Sequence, residues 1–352
     1  MFRLLPTAVL SAVVLTVACP PALPIPRVAA AQELRAGERS PVQVPPRPAR
    51  KPIPTPPPRN EPVDQQLRDQ ARQIIEDFAV SPDSPIRRAN AIEAAEKGLP
   101  REQAAPLVVR GLADPAPVVR FAAAVAAGDL KLLDVRPTLY KLAYDTDPQV
   151  RLAARYGLHK LGDSTLTQEM LLGLRDERPE VRSNTVMLLG MLGEPSAIPP
   201  LRRLAGDRNP TVRLQLYEAL WRLGDRNAAN ELVIFTLSRF PDEQVVALIA
   251  LAQPRNPRVL EHIRGWMVDD NFPEVPLAAA RAAGMLGSDE GYGTAVQFLR
   301  ANDPRQRIMA AMALGDIGRI DAQSRLRPLL ADPDPDVRLA AAAAILKLRP
   351  PR

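Results

Sequence analysis

Cysteine, histidine and aromatic residues are scarce in this chain of 352 residues: one cysteine, two histidines, and 4% Phe, Trp and Tyr together. A single cysteine cannot close an intramolecular disulfide, so no disulfide framework holds the fold. His159 and His262 stand about a hundred residues apart with no cysteine beside either, which gives no zinc-type ligand set and no metal or cofactor expectation. No G-x-S-x-G, H-E-x-x-H or phosphate-loop pattern occurs, and no acid–base pair stands out among the many carboxylates. The chain is read as non-enzymatic.

One apolar run is present at the start, Leu4 to Ala18. It is too short for a stable membrane span and reads as a secretory signal covering residues 1–31, with Ala29-Ala30-Ala31 as the small-residue cleavage site before Gln32. The competing site, Thr16-Val17-Ala18-Cys19, resembles a lipobox and places the only cysteine at the lipidation position. The expected location is periplasmic or extracellular, the alternative a lipoprotein tethered through Cys19. Residues 32–63 follow as a proline-rich linker, with ten prolines between Pro41 and Pro62, expected to be a disordered, extended spacer. Most of the basic excess lies in these two segments: residues 64–352 hold 38 Lys and Arg against 37 Asp and Glu. The isoelectric point near 9.7 therefore marks no basic stripe on a folded surface, and nucleic acid is not the expected partner. The linker cations Arg39, Arg47, Arg50, Lys51 and Arg59 suit weak contact with an anionic envelope surface.

From residue 64 onward the chain repeats itself. Taking the apolar residue of a P-x-V-R motif as anchor, nine copies sit at Ile86, Val119, Val150, Val181, Val212, Val245, Val275, Gln306 and Val337, a period of about 31 that implies a solenoid. Pro two residues before the anchor suits the first turn of a helix, and Asp147, Asn209, Asp303 and Asp334 before it suit an N-cap. Positions 4, 8 and 11 after the anchor are apolar, as in Leu216, Leu220 and Leu223, the core face of a helix. Gly at position 12 (Gly98, Gly162, Gly193, Gly224, Gly287, Gly318) ends it. A second apolar pattern in each copy reads as a partner helix. Asp five residues before the anchor (Asp114, Asp145, Asp176, Asp207, Asp270, Asp332) and Arg just after it (Arg87, Arg120, Arg151, Arg182, Arg213, Arg307, Arg338) recur in register and predict a charge ladder along the stack.

The combination P-x-V-R followed by A-x-x-A-L-x-x-L-G resembles the HEAT repeat, in the short Ala-rich form of bacterial HEAT-like proteins. The resemblance implies an all-α, right-handed superhelical solenoid of about nine helix pairs over residues 64–352, with the Pro-initiated helices on the concave side. It also implies an interaction scaffold for a protein or peptide. Metal-dependent hydroxylases of this family carry repeated His-Glu pairs, which this chain lacks. The repeats are also similar to those of phycobilin lyases, which sets the alternative: a lyase or accessory subunit acting on a prosthetic group or cell-wall polymer.

Three further expectations concern surfaces. No polar capping repeat follows the apolar run Ala340 to Leu348, so the C-terminal edge is expected to be exposed and prone to association. Phe235, Phe240, Trp266 and Phe272 fall in irregular copies and are expected to fill wider gaps between helices. Position 9 is Gly in four copies (Gly128, Gly190, Gly284, Gly315), predicting close helix approach, but His159 and Trp221 in two others. With Arg155, Tyr156, Met187, Met191, Tyr217 and Arg222 they make a candidate partner-binding surface of aromatic, Met and Arg side chains. The competing reading places Trp221 in the seam between copies five and six.

Overall fold

A computed structural model describes residues 53–57, 59, 61–268 and 272–349. The export segment with its two cleavage sites, most of the linker and Asp270 lie outside them. The described residues form helices and no strand; an isolated bridge pairs Arg319 with Arg349.

In chain order the helices are α1 (Gln65–Val80), α2 (Pro85–Gly98), α3 (Arg101–Gly111), α4 (Pro117–Asp129), α5 (Arg136–Leu142) and α6 (Pro148–Lys160). They continue with α7 (Thr167–Met170), α8 (Pro179–Leu192), α9 (Ile198–Arg202), α10 (Pro210–Arg222), α11 (Arg226–Thr236) and α12 (Pro241–Ala252). The last six are α13 (Leu260–Arg264), α14 (Glu274–Met285), α15 (Tyr292–Phe298), α16 (Pro304–Ile317), α17 (Gln323–Leu326) and α18 (Pro335–Lys347). The even-numbered helices carry the anchors, and eight of the nine begin on Pro. Asp147, Asn209, Asp303 and Asp334 cap theirs through side-chain acceptance of backbone N–H groups, as their chemistry predicts. From α3 onward the odd-numbered partners are shorter, and several pass into 3-10 turns such as Arg203–Gly206 and Arg327–Ala331.

Each even-numbered helix packs against the next, which makes them one continuous layer with the odd-numbered helices outside it. The core face is as expected: Ala154, Leu158, Leu216 and Leu220 are buried. A Cβ added to Gly190 would lie 2.7 Å from the Cβ of Ala219, and one on Gly315 2.8 Å from the Cα of Ala344, so glycine at position 9 permits close packing of neighbouring helices. Position 12 takes φ between 76° and 92° in Gly162, Gly193, Gly224, Gly287 and Gly318, the left-handed turn that glycine adopts without cost. Gly98 departs from this set: it is the last residue of α2 and faces Leu346 of α18 instead.

That contact belongs to the main departure from expectation. The two ends of the solenoid meet, because α1 packs on α18 and α2, and α18 touches α2. Arg68 donates from Nη2 to the Leu348 carbonyl at 2.5 Å, Arg87 Nε lies 2.9 Å from Asp336, and Asp64 N–H donates to Gln323 at 3.1 Å. Arg87 and Arg338 both stack over Phe78 of α1, at 5.6 and 5.5 Å from the ring centroid. The expected exposed C-terminal edge is therefore covered: α1 buries Leu67, Ala71 and Ile75, and this removes the edge in the way a capping element would. The end of the proline-rich stretch also lies on the ring. Thr55 donates to the Glu290 carbonyl at 2.8 Å, and Arg319 donates to the Pro56 carbonyl at 2.8 Å while stacking on Tyr292 at 3.9 Å.

The ladder forms in part. Arg120 donates through Nε and Nη2 to Asp145 at 2.9 Å each, Arg182 to Asp207 at 2.7 and 2.9 Å, and Arg307 to Asp332 at 2.8 Å each. Each of these Asp residues also accepts the backbone N–H two residues on in its own loop, so one carboxylate shapes a turn and ties it to the preceding repeat. In copy one the rung is made by Arg88 to Asp114, at 2.8 and 2.9 Å, because Arg87 turns to Asp336. Asp176 is taken by Arg178 in its own loop, which leaves Arg151 on the Asp145 and Thr146 carbonyls. Arg213 bonds only the Asp207 carbonyl, since Phe240 stands where the next Asp would be. Arg338 holds the Asp332 and Pro333 carbonyls.

Candidate binding site

Ring closure brings one face of every even-numbered helix toward a shared interior. Its register is position 10 after the anchor, occupied by Glu96, Asp129, Lys160, Met191, Arg222, Arg255, Met285, Asp316 and Lys347. Tyr156, buried on the same side, donates its hydroxyl to Asp129 at 2.6 Å, and Lys160 lies 3.3 Å from the same carboxylate. Burial raises the Tyr156 hydroxyl well above its ordinary range, and the Asp129 carboxylate adds to this. Burial also pushes Glu96 up to about 7, against the pull of Lys97 and with support from Asp129 and Glu93. On the other side of the ring Arg281 lies 2.7 Å and Lys347 2.8 Å from Asp316. These two cations hold the Asp316 carboxyl well below its usual range although burial opposes ionisation.

At the end where these helices terminate, the interior opens into a cavity of about 920 Å³. The C-terminal ends of α2, α12, α14, α16 and α18 supply most of its wall, and Arg59 of the proline-rich segment reaches it. Arg255, in the turn after α12, takes φ of 55°, a left-handed conformation unusual for a side-chain-bearing residue.

The eight residues of the candidate partner surface do not form one surface. Tyr156 and Met187 are buried at position 6, and Met191 and Arg222 are half-buried at position 10; these four belong to the interior register. The others face the outer layer. Arg155 pairs with Glu169 of α7 at 2.6 Å, His159 Nδ1 lies 2.8 Å from the Thr167 hydroxyl, and Tyr217 packs on Phe235 of α11 with centroids 6.2 Å apart. Trp221 is buried at 7% exposure and donates from Nε1 to the Leu251 carbonyl at 3.0 Å, which fills the seam between copies five and six. Helical spacing had joined the two groups because positions 5 and 9 adjoin positions 6 and 10 on one helix, while the packing directs them to opposite sides. The irregular aromatics divide as well: Trp266 is buried, whereas Phe240 and Phe272 remain exposed and fill no gap. The cavity had a signal in the sequence, since position 10 is charged in seven of nine copies. Without closure that face had no reason to converge.

The family model for HEAT repeats matches residues 69–159, 167–239 and 293–352. The chain belongs to the HEAT-repeat family. Solved structures similar to this HEAT protein include human deoxyhypusine hydroxylase, 18% identical over 71% of this chain and 96% of that one, with a TM-score of 0.37. Another is the complex of CpcE and CpcF of phycocyanin lyase from Nostoc sp., 20% identical over 70% and 97% of the two chains, with a TM-score of 0.42. Kap121p is 13% identical over 80% of this chain and 37% of its own, with a TM-score of 0.34. No curated protein matches the chain. Identities this low transfer no activity.

Proposed function

We propose that this HEAT protein is an exported, non-enzymatic scaffold that captures a protein or peptide partner. The observation that supports it is the preformed cavity of about 920 Å³, walled by helix ends of repeats far apart in sequence and fixed by closure of the ring. A site organised before the partner arrives avoids the ordering cost that a flexible surface would meet on binding. Export rests on the apolar run and the Ala29-Ala30-Ala31 site: the mature N-terminus is Gln32, and an acylated Cys19 found by mass spectrometry would replace the free protein with a tethered one. The scaffold reading is tested by placing a photo-crosslinking side chain at Gln253, on the cavity wall, in the intact cell envelope. A single recurrent protein adduct that is absent when the probe stands at exposed Glu102 supports the reading. A chromophore or metal carried by the purified protein, with no protein adduct, overturns it in favour of an enzyme.

A further inference from the structure

The cavity at the helix C-termini is unbalanced in charge, although residues 64–352 as a whole are nearly neutral. Among its walls are Arg59, Lys97, Arg255, Arg281, Arg319, Lys347 and Arg349 against Asp289, Asp316 and Asp321. Several of these cations are engaged: Arg281 and Lys347 share Asp316, Lys97 pairs with Glu93 at 2.6 Å, and Arg319 lies between Asp289 at 3.1 Å and Asp321 at 2.7 Å. The side chains of Arg59, Arg255 and Arg349 stand in no ion pair among the described residues. Helix C-termini carry about half a negative charge each, so the five around this cavity together offset about two and a half of the excess, which is four among the wall residues and three once Glu93 is set against Lys97. The balance remains positive.

Two backbone features hold these cations in place. Arg255 takes the left-handed φ of 55°, and a side-chain-bearing residue in that region is a pointer to function. Arg59 is delivered by the proline-rich segment, which is fixed to the ring by Thr55 on the Glu290 carbonyl and by Arg319 on the Pro56 carbonyl.

We infer that this cavity is the partner-binding pocket and that it takes a short carboxylate-rich peptide segment; this deepens the scaffold reading and rests on it. Guanidinium forks match carboxylates bidentately. No aromatic side chain lines the cavity, so a polynucleotide would find no stacking platform there. The volume of about 920 Å³ is near the upper end for a small-molecule pocket, more than one free organic acid fills.

The test is fluorescence anisotropy with the mature protein and a labelled peptide alternating Glu and Gly. The acidic peptide binds, more weakly as salt rises, and its Gln-for-Glu counterpart binds at least about tenfold more weakly. Replacing Arg255→Asn together with Arg349→Gln lowers affinity by roughly tenfold at an unchanged melting temperature, because Asn tolerates the left-handed conformation. Arg226→Gln, exposed on the outer layer, leaves affinity as it was. Equal binding of the Glu and Gln peptides, or unaltered affinity in the double variant, overturns the inference. So does binding of free citrate in place of the peptide, which would assign the cavity to a small acid. If the peptide fails while the envelope crosslink at Gln253 succeeds, the scaffold stands and the acidic segment falls.

Discussion

Replacing Asp207 by Ala removes one rung of the ladder and leaves its partner stranded. Arg182 makes two charge-assisted bonds to this carboxylate, at 2.7 and 2.9 Å, and two more to the Asp176 and Glu177 carbonyls at 2.8 and 3.0 Å. Asp207 also accepts the Asn209 N–H at 2.9 Å, so Ala opens the turn as well as the inter-repeat contact. The side chains are 16% and 6% exposed, which places the pair nearer a buried than a surface ion pair. Breaking a buried pair from one side costs about 3–5 kcal/mol; with Arg182 still wetted at its edge, about 3 kcal/mol is expected for Asp207→Ala. In a chain of this size that lowers the melting midpoint by about 5–10 °C. Arg151→Ala is the internal control, because Arg151 holds only the Asp145 and Thr146 carbonyls at 2.7 and 3.1 Å, and its loss should cost about 1–2 kcal/mol. A double-mutant cycle on Arg182→Ala and Asp207→Ala, followed by urea unfolding, should give a coupling of about 2 kcal/mol. A coupling below about 0.5 kcal/mol, or an Arg151→Ala variant as unstable as Asp207→Ala, would refute the ladder as a source of stability.

Other consequences concern pH and the seam. Burial opposes ionisation of Asp114, Asp145, Asp207 and Asp332, yet their Arg partners and loop N–H groups hold the carboxyls below the ordinary value of 3.8. Their contribution is complete above that pH and is lost as pH falls through the folded values, so the melting temperature should drop steeply below about pH 4; a flat profile there would contradict this. Glu96 behaves in the opposite sense, its folded value of about 7 lying above the ordinary 4.5. Stability should fall as pH rises from 4.5 to 7, and Glu96→Gln should match the native chain below that window and exceed it above, as thermal unfolding at pH 4 and pH 8 would measure. Trp221→Ala removes a buried ring and its bond to the Leu251 carbonyl. It should cost about 3–5 kcal/mol, and a loss of only a degree or two in melting temperature would return Trp221 to the binding surface.

The local rules of the repeat were legible in the sequence because each rests on a residue type with one dominant use. Pro starts the helix, Asp147 or Asn209 caps it, positions 4, 8 and 11 bury it, and Gly193 or Gly318 turns out of it. Closure was not legible, because a repeat period states how each pair follows the last and says nothing of the small rotation between them. That rotation accumulates over nine copies until Gly98 meets Leu346. The candidate surface failed for a related reason. Position 9 and position 10 are adjacent on one helix, yet Trp221 is locked to Leu251 of the next repeat while Arg222 remains on the interior face with Glu218 at 2.9 Å. The ladder was half legible: the register of Asp and Arg was clear, but the competition of Arg178 for Asp176 depends on the geometry of one loop.

Ring closure is the claim on which the cavity depends, and one engineered disulfide tests it directly. A Cβ on Gly98 would lie 3.2 Å from the Cβ of Leu346, close to the separation of about 3.5–4.5 Å that a disulfide spans. The protein starting at Gln32 lacks Cys19, so Gly98→Cys with Leu346→Cys would carry the only two thiols. On mild oxidation the closed ring predicts a monomer without free thiols, migrating faster than its reduced form in a non-reducing gel and unfolding at a higher denaturant concentration. An open superhelix would instead leave both thiols free or yield intermolecular dimers, and that result would contradict the ring and the cavity built on it.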